Sequence, residues 1–195
     1  MHSSPNAMVW THVRVLERAV ERAHRAPDAR DARDEVVVAI LFAVAAVEAF
    51  VDAFFNLEFR QSAKPPWSEK QWEQQRRKDL PHRLNIWPEK FFGVKLSGSH
   101  DNGFSQLLKE RNRLVHFTNS HETLDISPDL MIVGLTNTGR YDNLLPDHAA
   151  HCLEVCLTEI RRVHSASGRT GESLEGAFHS WTGIPPRTPI PPRSR

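Results

Sequence analysis

The chain has 195 residues and a mass of 22.3 kDa, the size of one domain or one domain with a tail. With 39% hydrophobic and 25% charged residues it has the means to bury a core, which excludes disorder throughout. Two cysteines exclude a disulfide scaffold, and a net charge of +1 excludes a polybasic protein held to nucleic acid by bulk charge alone.

The opening MHSSPNAMVW has neither a basic nor an apolar segment of the secretory kind, so a reduced, cytoplasmic protein is expected. Val9, Val13, Leu16 and Val20 recur at three- and four-residue steps, which predicts a helix over about 8–25. Ala26-Pro27-Asp28 ends it, because the residue before a proline is pushed away from helical angles. Residues 28–34 then offer N-terminal caps for a second helix over about 32–59. Val36 to Val47 is an unbroken apolar run. A membrane helix needs about 18 or more such residues, and Glu48 and Asp52 interrupt this one. The central helix of a bundle, with no membrane, is the expected reading.

Lys64-Pro65-Pro66 breaks the chain, and Ser68 caps a short polar helix expected to end at Pro81. Residues 84–94 read as amphipathic and irregular, with Pro88 at a helix start. Residues 97–103 read as a turn-rich loop. A helix is expected over 104–117. From Thr123 to Tyr141 a loop is expected, with at most a short hairpin made of Met131–Leu135 and a turn at Asn137-Thr138-Gly139. A last helix is expected over 147–164, its stripe made of Ala149, Cys152, Cys156, Ile160 and Val163. Beyond it, composition shifts to Ser, Gly, Pro and Arg, and residues 166–195 read as an extended, mobile tail. The expected fold is all-α: a four- to five-helix up-and-down bundle over 1–165 with one β-like excursion and a Pro-rich end.

Charge is unevenly spread. Residues 58–95 hold nine Lys/Arg against five acids, and 96–160 hold four against nine. Within the basic stretch, Trp67, Trp72 and Trp87 interleave with Arg76, Arg77, Lys78 and Arg83. Aromatic faces among cations suit single-stranded RNA, so Arg76, Arg77 and Lys78 are candidate RNA contacts. Covering a core is the commoner use of such tryptophans. His148, Cys152 and Cys156 stand four apart on one helix, a pattern zinc accepts, but structural zinc sites draw four ligands from separate segments. Packing is the expected role, and no metal or cofactor is expected.

The segment LLKERNRLVHFT, residues 107–118, carries the chemistry-bearing set Arg111, Asn112 and His116. The bare Arg-x4-His spacing is common by chance in a chain with 19 Arg and 11 His. A second match, Arg77 to His82, is broken by Pro81 and is discounted. At about 100° per residue, Asn112 and His116 lie about 40° apart on one helix, whereas Arg111 and His116 are about 140° apart. Asn112 therefore suits orienting His116 within one chain. Arg111 reaches the same phosphate by arching its side chain, through a bend in the helix end, or from a second subunit. On the earlier helix Glu48, Asp52 and Asn56 form a polar stripe at i, i+4 and i+8. Facing the 111–116 helix, Glu48 would pair with Arg111 or fix the tautomer of His116. Otherwise the stripe meets solvent.

With those residues in hand, the segment resembles the HEPN superfamily, helical-bundle proteins whose ribonuclease members use an Arg, a polar residue and a His in an R-x4–6-H motif. VEAFVDAFFN, residues 47–56, resembles the Glu-Ala-Phe run of their early helix. The likeness covers roughly residues 32–164. It implies a metal-independent endoribonuclease, a homodimer with the site at the two-fold interface, and RNA as partner. It further implies a toxin or defence effector, with an antitoxin protein as a further class of partner. In such a site His116 of one protomer takes the 2′-OH proton and its copy protonates the leaving 5′-oxygen. Arg111 steadies the phosphorane, Arg113 is a further phosphate contact, and the product end is a 2′,3′-cyclic phosphate. The other reading is a non-catalytic helical module binding RNA, a nucleotide or a protein partner. Neither a P-loop, nor a dinucleotide fingerprint, nor a nucleophile elbow occurs in the sequence.

Overall fold

The computed structural model describes residues 4–96, 103–116, 121–127, 130–136 and 139–185. Among them the chain is helical apart from one hairpin. In order it forms α1 (Ala7–Arg25), α2 (Ala29–Gln61), α3 (Glu69–Arg76), α4 (Leu80–Phe92), α5 (Phe104–His116), β1 (His121–Ser127), β2 (Leu130–Thr136), α6 (Gly139–Asp142), α7 (Pro146–Ala166) and α8 (Gly171–Thr182).

α1 buries Val9, Val13, Leu16, Ala19 and Ala23, the stripe its periodicity predicts. It ends at Ala26, which is extended ahead of Pro27. Asp28 then caps α2, its Oδ1 accepting from the backbone N–H of Arg30 at 2.8 Å and Asp31 at 2.9 Å. Those two bonds hold the Asp28 carboxyl below its usual range.

α2 is the axis of the fold and packs against α1, α4, α5 and α7. It is long and apolar enough to pass for a membrane span. In the fold its apolar residues from Val36 to Phe59 supply the centre of the core. The basic stretch after it folds back over its C-terminal half. Ser68 opens α3 with a capping box, giving to and taking from Gln71. Trp72 stacks on Phe59 with ring centroids 4.9 Å apart and meets Trp87 at 4.7 Å. Both indoles are fully buried, and Trp67 stacks on Trp72 from outside. These tryptophans therefore cover the core.

Pro81 does not end the polar helix. It sits in the first turn of α4, where a missing N–H costs nothing, behind Asp79, whose Oδ1 accepts from the His82 N–H at 2.9 Å. Pro88 lies inside α4, not at its start. α4 stops at Gly93, which takes φ +71°, a conformation open to glycine.

The β-like excursion is a true antiparallel pair, β1 with β2, running from His121 opposite Thr136 to Ser127 opposite Leu130. Met131–Leu135 lies in β2 as expected. Its partner β1 precedes it; residues 137 and 138 of the expected turn lie outside the described residues, and Gly139 begins α6.

The expected tail holds the largest difference. Residues 171–182 form α8, which seats Phe178, Trp181 and Thr182 in the interior. Trp181 meets Phe50 edge-on at 5.3 Å, and the Arg161 guanidinium lies 3.7 Å from the Phe178 ring centroid. Trp10 of α1 donates from Nε1 to the Ser180 carbonyl at 2.9 Å. The packed unit thus runs past residue 165 to the end of α8. Residues 186–195, most of the Pro-rich segment, lie outside the described residues, as do 97–102 of the expected turn-rich loop.

Candidate functional site

α5 leaves a tight approach between helices. Gly103 has φ +80°, a conformation that favours glycine, and a Cβ there would crowd Cγ2 of Val155 on α7 at 3.1 Å. Phe104 and Leu107 are buried, while Leu108 and Leu114 pack more loosely on the core.

Arg111, Asn112 and His116 do share this one helix. Seven residues beyond Phe104, Arg111 returns to within about 20° of it around the helix axis. It is half-buried, and its Nε is enclosed with no hydrogen-bond partner. Asn112, the next residue round, is exposed. His116 is the last residue of α5, and its side chain is outside the described residues. Val115 beside it is 49% exposed.

The polar stripe of α2 is partly exposed to solvent and is engaged by α3 and α4. Asp52 accepts two parallel bonds from Arg76, Nε at 3.2 Å and an Nη at 2.9 Å. Glu48 pairs with Arg83, which also stands 3.8 Å from Asp52. Asn56 Oδ1 accepts from Trp72 Nε1 at 3.3 Å. All three side chains are thus occupied by α3 and α4. That is a correction to the expectation that they support Arg111 and His116. The physical reason is charge: the stripe is acidic, and the segment that folds onto it carries the excess of cations.

The same pairing changes the candidate RNA contacts. Arg76 is tied to Asp52 and to Glu73, which raises its already high pKa, the Asp52 hydrogen bond contributing most. Arg77 and Lys78 are exposed. Arg113 lines a cavity of about 330 Å³ between α5, the α6–α7 corner and Ile40 of α2. The cavity's other walls are Glu110, Leu114, Tyr141, Asn143, Leu144 and His148.

Of these residues the sequence singles out Arg113 as a phosphate contact and His148 only as part of a zinc-like spacing. Tyr141 is the chain's one tyrosine, a signal that was present but mute without its neighbours. Its hydroxyl donates to the Asp34 carboxylate, and Arg33 lies over its ring at 5.4 Å. The Leu145 N–H donates to His148 Nδ1 at 2.7 Å. Neutral His148 therefore carries its proton on Nε2.

Cys152 and Cys156 are buried free thiols. Burial pushes the Cys152 thiol up to about 12 and the Cys156 thiol higher still. Among the described residues no three His, Cys, Asp or Glu side chains gather as a metal site. His164 of α7 is fully buried between Phe50, Phe54 and Trp181, and neither ring nitrogen has a hydrogen-bond partner. Burial lowers its pKa to about 4.

The chain matches no protein-family model, no curated protein and no solved structure. The fold and site therefore define it as a helical-bundle protein with a polar α5.

Proposed function

We propose that this protein is a metal-independent endoribonuclease of the HEPN kind, a cytoplasmic homodimer whose α5 helices meet across a two-fold axis. The observation that carries the reading is the continuity of α5 through Arg111, Asn112 and His116. One helix sets the spacing of all three, and Asn112 is open to a neighbour. The exposed Val115 beside them supplies apolar surface for a second copy to cover.

In this scheme one His116 accepts the ribose 2′-OH proton as the oxygen attacks phosphorus. The partner's His116 gives a proton to the departing 5′-oxygen, and Arg111 stabilises the added charge of the phosphorane. The products end in a 2′,3′-cyclic phosphate and a 5′-hydroxyl. Arg113, Arg77 and Lys78 steady the flanking phosphates. Glu48, Asp52 and Asn56 have no part in it, because α3 and α4 hold them. A toxin or defence role acting on cellular or invader RNA fits this chemistry, with an antitoxin protein as a natural restraint.

A second reading has an observation of its own. Arg111 lies on the packed side of α5 with Nε enclosed, which favours a non-catalytic module binding RNA, a nucleotide or a protein partner. Product ends separate the two. RNA incubated with purified protein in excess EDTA yields cyclic-phosphate ends under the first reading and none from an Arg111→Ala, His116→Ala double variant. Intact RNA with wild-type protein, across several sequences, selects the second.

A further inference from the structure

We infer that the cavity between α5 and the α6–α7 corner is a guanine-binding subsite, which holds one base of the RNA chain next to the phosphate addressed by α5. The inference rests on the ribonuclease reading for the source of the base, though not for the base itself.

Three features of the cavity point to a nucleobase. Its volume of about 330 Å³ sits at the small end of the ~300–1,000 Å³ typical of ligand pockets, too small for a folded polymer and ample for one planar ring system. Ile40, Leu114, Leu144 and the Tyr141 ring give it apolar walls. Those are the surfaces on which an unstacked base is held. Polar groups stand among these walls: Glu110 and Arg113 come from α5, and His148 from α7. Two of the walls, Glu110 and Leu114, lie within one or two turns of His116 along the same helix, so a nucleotide seated here has its phosphate near the end of α5.

The polar groups select among bases. Glu110 offers a carboxylate, an acceptor-only group able to take two adjacent donors at once. Gln106 already donates to its Oε1 at 2.9 Å, which steadies the carboxylate and leaves acceptor capacity on both oxygens. Guanine alone presents two neighbouring donors, N1–H and the N2 amino group, on its pairing edge, with an acceptor O6 beside them. Adenine and cytosine present one donor group next to an acceptor, and uracil one N–H between two acceptors. His148, on the cavity wall, can supply the donor for O6. Because the Leu145 N–H occupies His148 Nδ1, neutral His148 presents Nε2–H. Arg113 supplies a cation for the attached phosphate.

The test has two arms on the full chain. In the first, 5′-GMP, AMP, CMP and UMP are titrated into the wild type by calorimetry. GMP binding at least tenfold tighter than the others is expected. Glu110→Gln, which swaps one acceptor for a donor, should abolish that preference, and Leu144→Trp, which fills the cavity, should abolish binding. Both variants are checked by thermal melting. Four nucleotides binding alike, or none binding, overturns the inference. In the second arm, cleavage sites are mapped on an RNA containing every dinucleotide step. Guanine at one fixed position beside the cut is expected, and should be lost in Glu110→Gln. Selective GMP binding with cutting that ignores guanine overturns the assignment to an RNA base. Selective GMP binding without any cutting upholds the guanine site and overturns the ribonuclease reading.

Discussion

Arg76 grips Asp52 through two parallel N–H···O bonds, at 3.2 Å and 2.9 Å, and so locks α3 against the C-terminal half of α2. This bidentate contact joins the acidic stripe of the central helix to the cationic segment that follows it. Such a fork adds geometry as well as attraction. Both side chains are about one-third exposed, so its worth is modest. Asp52→Ala should cost about 1–2 kcal/mol of unfolding free energy in denaturant titrations. RNA cleavage per folded molecule should be unchanged. A selective loss of cleavage with stability intact would return Asp52 to the site of α5.

The C-terminal helix makes a second prediction. Trp181 is packed on Phe50 and His164, and truncating a buried tryptophan costs about 3–5 kcal/mol. Its edge is slightly exposed, so Trp181→Ala should lie near the low end, about 3 kcal/mol. At roughly 2–4 °C per kcal/mol for a chain of this size, the melting midpoint should fall by about 6–12 °C. A midpoint within 2 °C of wild type, about the shift of a single kcal/mol, would mean that α8 is not part of the cooperative unit.

A third prediction concerns acid. His164 titrates at about 4 in the fold against an ordinary 6.5. Between those values the unfolded chain binds the proton and the folded chain does not. Stability is therefore fully present above pH 6.5 and is lost as pH falls toward 4, by about 3 kcal/mol in all. His164→Leu removes a buried imidazole without hydrogen bonds and should be close to neutral at pH 7. The difference in stability between wild type and variant should grow by that amount between pH 7 and pH 4. Parallel curves would show that His164 gains a partner or water when protonated.

Much of this fold is legible in the order of residues. The stripes Val9-Val13-Leu16 and Ala149-Cys152-Cys156-Ile160 locate α1 and α7 because each face is read by local periodicity. Asp28 and Ser68 cap the helices they precede because capping is a contact within three residues. What was not legible depends on distant partners. Phe178 and Trp181 sit in a Gly- and Ser-rich stretch, and it is distant residues such as Phe50, Arg161 and His164 that give them a place to pack. The stripe Glu48-Asp52-Asn56 announces that something polar covers it, but not which of two helices does so. Pro81 marks a helix boundary from either side, and Asp79 decides which. At the site, Arg111, Asn112 and His116 were placed on one helix by spacing alone. The cavity was invisible, since Ile40, Glu110, Tyr141 and His148 are drawn together from across a hundred residues of chain.

The central claim is that His116 moves protons in RNA cleavage without a metal. The direct measurement is the rate of cutting of an end-labelled RNA in excess EDTA by wild type and His116→Ala, both purified to the same sedimentation profile. General acid–base groups contribute about 10²–10⁴-fold, and the proposed mechanism uses His116 as both acid and base. A loss of at least 10²-fold in the variant, with cyclic-phosphate ends from the wild type, is the predicted result. Equal rates from the two proteins would contradict it.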